Sequence, residues 1–349
     1  MLEKRENNKR VFFYTKEKKE IVPSSDEDLN SEAKSILDSL YSKKSELKIP
    51  KKFIENWEKV SLYNPAGDIT KANAILMNPE DGAYSLANKL NGLTGKEWIK
   101  FTCSWFIFNA LQKDLKAEKE LDPDTKDHPA TYSPTMIESF INFFTKEGQT
   151  VLDPFLGIGS TTEAAKRTNR VGYGTELNPK YYNLALKRNP ELKDNIFNID
   201  ARKIKELNLP PIDFSISSPP YWDMLNRSTR DFKKNRDNSG LDVKYSDSNV
   251  DIGNIESYDE FLDSVCEIYL NLYDVLKTGA YLVIIVKNVK KGGKLYPLAW
   301  DMAIKLGKKY ALKDEKIWIQ DKLALAPYGY PSSWTSNILH HYCIVLRKE

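Results

Sequence analysis

Four short stretches hold side chains whose types and spacing could do chemistry. Residues 218–221 read Ser-Pro-Pro-Tyr and end the apolar run DFSIS. Two adjacent prolines donate no backbone hydrogen bonds, so Pro219 and Pro220 stop a strand and hold its backbone rigid. The Ser218 hydroxyl and the Pro219 carbonyl could then accept hydrogen bonds from an amino group. Tyr221 adds a flat face on which a planar base can stack. Read structurally, the same stretch is a strand stop with a buried tyrosine. The second stretch, VLDPFLGIGS at 151–160, is a strand end, a glycine turn and a helix start. Gly157 and Gly159 let a ligand approach the backbone at such a turn, although purely structural turns look similar. The dinucleotide fingerprint GxGxxG is incomplete, because Thr162 occupies the third glycine position. Asp153 would repel a pyrophosphate there and suits an ammonium or sulfonium instead. Third, Glu176 in GTELNP stands roughly 20 positions further on, where an acidic residue accepts hydrogen bonds from ribose hydroxyls. Fourth, Asp200 in NIDAR could accept from an adenine amino group, or simply cap a helix.

Such residues need strands that end side by side. From about residue 126 onward, short β-rich runs alternate with amphipathic helices, which predicts an α/β fold with a doubly wound, mostly parallel sheet. The predicted order is helix PTMIESFINFF, strand TVLDPF, helix STTEAAKRT, strand RVGYGTEL, helix NPKYYNLALKR, strand NIFNID and strand DFSISS. The helix YDEFLDSVCEIYLNLYDVLK follows, capped by Thr278-Gly279, then the strand AYLVIIVKNV and the helix LYPLAWDMAIKLG. Two last strands, LKDEKIWIQ and HHYCIVLRK, are expected to pair antiparallel at one edge. Residues 1–120 are rich in Lys, Glu, Asn and Ser and show helical periodicity in EAKSILDSLY and GKEWIKFTCSWFIFNAL. They are read as a mainly helical N-terminal region, serving target recognition or as a cover. The charged stretch QKDLKAEKELDPDTKD is the expected junction to a catalytic domain over 121–349.

The 349 residues are 41% hydrophobic and 29% charged, as in soluble globular chains. No apolar run reaches about eighteen residues, so no membrane span or membrane partner is expected. The segment MLEKRENNKR lacks the apolar core of a signal peptide, and the expected compartment is the cytoplasm. Cys103, Cys266 and Cys343 form no CxxC pair, and His128, His340 and His341 do not stand at metal-ligand spacing with them. Reduced thiols and no metal are expected. The net charge of +3 indicates little about partners. Its distribution says more: RSTRDFKKNR at 227–236 follows directly after the Ser-Pro-Pro-Tyr stop. Arg227, Arg230, Lys233 and Lys234 are expected to meet nucleic-acid phosphates, against the plainer reading of a solvated loop.

DPFLGIGS, GTELNP and SPPY, in that order, resemble the motifs of the S-adenosylmethionine-dependent DNA amino-methyltransferases. HPATYSP, from His128 to Pro134, is similar to that family's additional cofactor motif, and HHYCIVLRK resembles its closing strand. The likeness covers roughly residues 90–349. It implies a class I S-adenosylmethionine methyltransferase fold with an antiparallel C-terminal edge strand. Asp153, Phe155, Gly157 and Gly159 would line the amino-acid and ribose side of S-adenosylmethionine, Glu176 the ribose hydroxyls, and Asp200 the adenine. His128, Pro129 and Tyr132 would flank the methionine moiety. Ser218, Pro219, Pro220 and Tyr221 would form the catalytic loop for a base flipped out of double-stranded DNA.

Family members with SPPY act more often on cytosine N4, and adenine N6 enzymes with a serine there exist. Methylation of a cytosine ring carbon is discounted, since it uses a Pro-Cys pair and none of the three cysteines follows a proline. An RNA or protein methyltransferase, a non-catalytic nucleic-acid binder and a nicotinamide-dependent oxidoreductase are the competing classes. Intact Asp153, Glu176 and SPPY oppose the binder; the missing glycine opposes the oxidoreductase. Only about forty residues separate SPPY from the next helix, short for a target-recognition domain. That leaves the N-terminal region for recognition. A cognate restriction endonuclease is a partner that the resemblance allows, and the chain would be a monomer or homodimer.

Overall fold

The computed structural model describes residues 27–63, 75–109, 132–222 and 251–349. His128, Pro129, Arg227, Arg230, Lys233 and Lys234 lie outside them. The chain divides into two compact units, Met1–Thr102 with Asn142–Glu147, and Cys103–Ile141 with Gly148–Glu349.

In the first unit, α1 (Glu27–Ser42) and α2 (Lys51–Glu55) precede a three-stranded antiparallel sheet, β1 (Ser61–Tyr63), β2 (Ile75–Asn78) and β3 (Gly82–Ser85). Leu37, Phe53, Trp57, Leu62, Leu76 and Tyr84 form its buried core. The helix α3 (Gly95–Phe101) starts at a capping box: Thr94 Oγ1 accepts from the Glu97 amide, and the Glu97 carboxylate accepts from the Thr94 amide at 2.8 Å. Helices make up most of the regular structure in the described residues of this unit, as expected, and the small sheet is an addition that the sequence pattern did not show. Its strands of three and four residues are too short for their alternation to stand out in a sequence window.

The second unit carries the strands β4 (Trp105–Ile107), β5 (Thr150–Asp153), β6 (Val171–Glu176), β7 (Ile196–Asn198), β8 (Ile212–Ser217) and β9 (Leu276–Val286). A hairpin follows, β10 (Val289–Lys291) and β11 (Lys294–Tyr296), then β12 (Ala311–Ile319) and β13 (His340–Arg347). Its helices include α4 (Pro134–Phe144), α5 (Ser160–Arg167), α6 (Pro179–Arg188), α7 (Tyr258–Val275) and α8 (Leu298–Leu306). One eight-stranded sheet has the order β4-β12-β13-β9-β8-β5-β6-β7. Only β13 runs antiparallel to its neighbours; it stands toward one edge, with β12 and β4 outside it. Val283, Ile284, Ile285 and Val286 of β9 are wholly buried, as are Phe261, Val265 and Leu272 of α7. Each such side chain contributes about 1.5–3 kcal/mol by leaving water.

Two local features differ from the sequence pattern, and a third, the basic turn that begins at Lys287, takes the form of a hairpin. The patch GKEWIKFTCSWFIFNAL is not one helix: it breaks into α3 and β4, and Trp105–Ile107 pair in parallel with Ile317–Ile319. The outer edge of β12 offers backbone groups that a strand can pair, and Trp-Phe-Ile has the matching propensity. This strand of the large sheet lies ahead of residue 121. Thr278-Gly279 does not cap α7, which ends at Val275. Gly279, at φ 85°, sits in a bulge, where Ile212 pairs with Leu276 but Phe214 already pairs with Tyr281. The stretch KNVKKGGK is a hairpin whose two-residue loop, Gly292 and Gly293 at φ 58° and 75°, has the left-handed backbone such loops require.

Candidate active site

Strands β6 and β7 lie to one side of β5, while β8 and β9 continue to the other. In such a sheet, ligands bind beyond the carboxyl ends of the strands where the order reverses. Because β13 is antiparallel, its amino end reaches the edge where its neighbours finish. Asp153, Glu176, Asp200, Ser218, Lys287, Gln320 and His341 are therefore all brought to one edge. A cavity there is lined on one side by Tyr132, Phe155, Gly157, Glu176 and Asp200. On the other side it is lined by Ser218–Tyr221, Trp318, Gln320 and His341.

The glycine loop is held from behind. Asp153 is fully buried and is not part of the wall. It accepts from the Phe155 amide at 2.9 Å, from the Tyr132 hydroxyl at 2.6 Å and from Thr161 Oγ1 at 2.5 Å. Burial pushes its carboxyl up to about 6, against the hydrogen bonds from Thr161, Tyr132 and Phe155. Its place in the fold is to fix Tyr132 and Phe155, which do face the cavity. Gly159, at φ 90°, precedes α5 and also stands outside the wall. Gly157 is in the wall, and its amide donates to Glu176 Oε2 at 2.8 Å. The Asn178 amide donates to Glu176 Oε1 at 2.8 Å. Glu176 is thus pinned by two backbone donors with lone pairs left for a ligand. Burial raises it to about 7, the two backbone bonds oppose that, and the charges of Asp153 and Asp251 add to it. Asp200 caps the turn Ala201–Glu206 through the Arg202 amide at 3.0 Å and pairs with the Arg202 guanidinium at 2.5 Å. Burial raises its carboxyl, but the Arg202 bonds outweigh this and hold it below the ordinary value.

The charge of this wall tests what it can bind. Glu176, Asp200 and Asp251 line it, and no described lining residue is Lys or Arg. A pyrophosphate would meet only like charge, whereas a sulfonium with an ammonium and a ribose diol finds partners throughout. The residues fit S-adenosylmethionine. Among the described residues no group of three or more His, Cys, Asp or Glu is gathered as a metal site.

On the other side, Ser218 Oγ and the Tyr221 hydroxyl are 3.0 Å apart and hydrogen bonded. Beneath them, Ser217 Oγ bonds the Tyr269 hydroxyl at 2.8 Å. Trp222 anchors the far end of the loop: its indole N–H donates to the Glu256 carbonyl at 3.2 Å, and its ring packs on Tyr258 and Tyr296. Pattern reading did not single out Trp222, Lys287, Trp318, Gln320 or His341 as site residues. His341 stacks on Trp318 with ring centroids 4.1 Å apart, and its ring lies 6.0 Å from that of Tyr221. Lys287 Nζ donates to Gln320 Oε1 at 3.3 Å. In the sequence Lys287, Trp318, Gln320 and His341 sit inside runs that read only as strands, and Trp222 follows the stop without a pattern of its own. The pairing of Trp318 with His341 across β12 and β13 is what sets them together.

Residues 3–187, more than half of the chain, match the DNA methylase family, with N6 and N4 methylases under one description. The chain belongs to that family, whose methyl donor is S-adenosylmethionine. Over 75 residues it is 37% identical to the type II methyltransferase M.BglII of Bacillus subtilis, covering 21% of each chain. Over 108 residues it is 33% identical to the orphan methyltransferase M.BamHII of Bacillus amyloliquefaciens, covering 31% of this chain and 38% of that one. These matches span well under half the length of the relatives. Among solved structures, TrmN from Thermus thermophilus aligns with a TM-score of 0.40 and 16% identity, over 62% of this chain and 49% of that one.

Proposed function

We propose that this member of the DNA methylase family transfers a methyl group from S-adenosylmethionine to the exocyclic amine of a flipped base in double-stranded DNA, cytosine N4 ahead of adenine N6. The observation that carries the reading is that Ser218–Tyr221 line the same cavity as Gly157 and Glu176. When bound, S-adenosylmethionine supplies an electrophilic methyl group on a sulfonium.

The chain's own residues hold the acceptor. With Ser218 donating to the Tyr221 hydroxyl, both lone pairs of Ser218 Oγ remain to accept from an amine N–H. The Pro219 carbonyl accepts the second N–H, and neither Pro219 nor Pro220 has an amide to compete for it. Two such bonds draw the amine lone pair out of conjugation with the ring and toward the cofactor side. Tyr221 supports the base face, and much of the acceleration comes from orientation. The anchored Trp222 keeps that loop from drifting.

Arg227, Arg230, Lys233 and Lys234 are assigned to phosphate contact. Replacing all of them by Ala lowers DNA affinity and flattens its salt dependence, each lost contact reducing the logarithmic slope by about 0.9. Sequence recognition is assigned to the N-terminal region; a truncation of residues 1–85 that still methylates the same sites would refute this. A type II setting with a cognate endonuclease is the context suggested by the names of the relatives.

The test is incubation with labelled S-adenosylmethionine and unmethylated genomic DNA, then nucleoside digestion and mass spectrometry. N4-methylcytosine is the expected product. N6-methyladenine would keep the class and overturn the base. Cofactor binding without labelled DNA would move the substrate to RNA or protein.

A further inference from the structure

The wall opposite the cofactor side carries polar groups that the transfer itself does not use. Gln320 and His341 line the cavity beside Tyr221, and they are 8% and 7% exposed. His341 Nδ1 is buried with no hydrogen-bond partner among the described residues. Gln320 Oε1 accepts from Lys287 Nζ at 3.3 Å.

That contact fixes which way the Gln320 amide points. An ammonium has donors only, so the amide atom nearest Lys287 must be the oxygen. The NH2 is left as the end that a ligand in the cavity can meet. Burial brings Lys287 down to about 8, so it is still cationic at pH 7. His341 is held well below its ordinary value by burial first, then by the charges of Lys287 and His340. It is neutral, with one ring N–H to give. This side of the cavity therefore offers the Gln320 NH2 and, in the tautomer that turns it to the cavity, the single His341 N–H.

We propose that the Gln320 amide, oriented by Lys287, and the His341 ring N–H read the two acceptors that follow the amine on a cytosine edge, N3 and O2. The proposal rests on the amino-methyltransferase reading above and supplies its base preference. An adenine held by the same amine contacts presents N1 and then a C–H, which leaves one buried donor unpaired. Leaving a buried donor without a partner is what makes such a site reject the wrong base. Gln320 is thus a specificity residue, and Lys287 is its positioning residue.

The test compares wild type with Gln320→Glu and Lys287→Glu. Products are resolved by mass spectrometry, and cofactor affinity is measured by calorimetry on the same preparations. In Gln320→Glu a carboxylate keeps the Lys287 contact but has no donor. In Lys287→Glu an acceptor faces the amide and turns its oxygen to the cavity. Both variants are expected to lose about tenfold to a hundredfold in kcat/KM for cytosine. Cofactor affinity is expected to hold. The wild type is also assayed on a duplex carrying 3-deazacytosine at the mapped target, which removes N3 without touching the protein, and a similar loss is expected. Unchanged kcat/KM on 3-deazacytosine, or in Gln320→Glu, overturns the proposal while leaving the transferase reading intact. A wild-type product of N6-methyladenine overturns the base reading and this proposal together.

Discussion

On one side of β8 the cavity wall comes from turns contiguous in sequence: Phe155 and Gly157 after β5, Glu176 at the end of β6, Asp200 after β7. On the other side, Trp318 and Gln320 come from the end of β12 and His341 from the start of β13. In the first half Glu176 is fixed by backbone donors, the Gly157 and Asn178 amides, while Asp200 pairs with the Arg202 side chain. The second is fixed by side chains acting on side chains, Trp318 on His341 and Lys287 on Gln320. A ligand common to many enzymes can be held by local turns. The opposite wall, to which the acceptor is assigned by proposal, is built from residues that only strand pairing assembles.

The comparison makes the halves separable. The largest effect is expected from Ser218→Ala combined with Tyr221→Phe, which removes the hydroxyl pair of the loop proposed to hold the amine. Methyl transfer should fall by about a hundredfold or more with cofactor affinity unchanged, read by single-turnover kinetics beside calorimetry. A matching loss of cofactor binding would show that the halves are one unit. Glu176→Ala should do the reverse. It removes an acceptor of charge-assisted hydrogen bonds, each contributing about 1.5–3 kcal/mol, so cofactor affinity drops by about tenfold to a hundredfold while DNA binding persists. Gly174→Ala probes how the glycine loop is seated, since a Cβ there would lie 2.7 Å from Leu156 Cδ2 and 3.0 Å from Leu156 Cβ. Overpacking of this kind costs about 1–3 kcal/mol, measurable in urea, and should weaken the cofactor half more than the acceptor half.

The smallest expected effect is a pH dependence confined to the cofactor half. Glu176 titrates at about 7 in the fold, above its ordinary value of 4.5. The ionised form is the better acceptor for ribose hydroxyls, so cofactor affinity should rise with pH up to about 7 and then level. The stability of the ligand-free protein runs the other way. The folded state binds the extra proton between 4.5 and about 7, so this group's contribution falls as pH rises through that window. Glu176→Gln should flatten both profiles; an unaltered affinity profile would assign the titration elsewhere.

Much of the cofactor half was legible because strand, turn and acidic residue follow one another within a single β-turn-α unit. The strand end at SPPY was legible from its two prolines, whereas the spatial order of the strands around β5 came only from the structure. The role of Asp153 was not: nothing in DPFLGIGS says that its carboxylate turns inward to Tyr132 and Thr161. The three-stranded sheet of the first unit was hidden by the shortness of its strands, and β4 by a helical pattern that breaks only because β12 offers a partner.

The sequence by itself determined the alternation of strands and helices, the positions of the glycine loop and of Glu176, and the rigid Ser-Pro-Pro-Tyr stop. These depend on neighbours along the chain: period, backbone freedom at glycine and its loss at proline. Tertiary structure alone decided that β13 runs antiparallel, which carries His341 to the edge where β12 ends and sets it against Trp318. It also decided that Lys287, at the end of β9, meets Gln320. Pairing partners and register are chosen by packing between distant segments, and a one-residue slip of β13 would send His341 to the opposite face of the sheet.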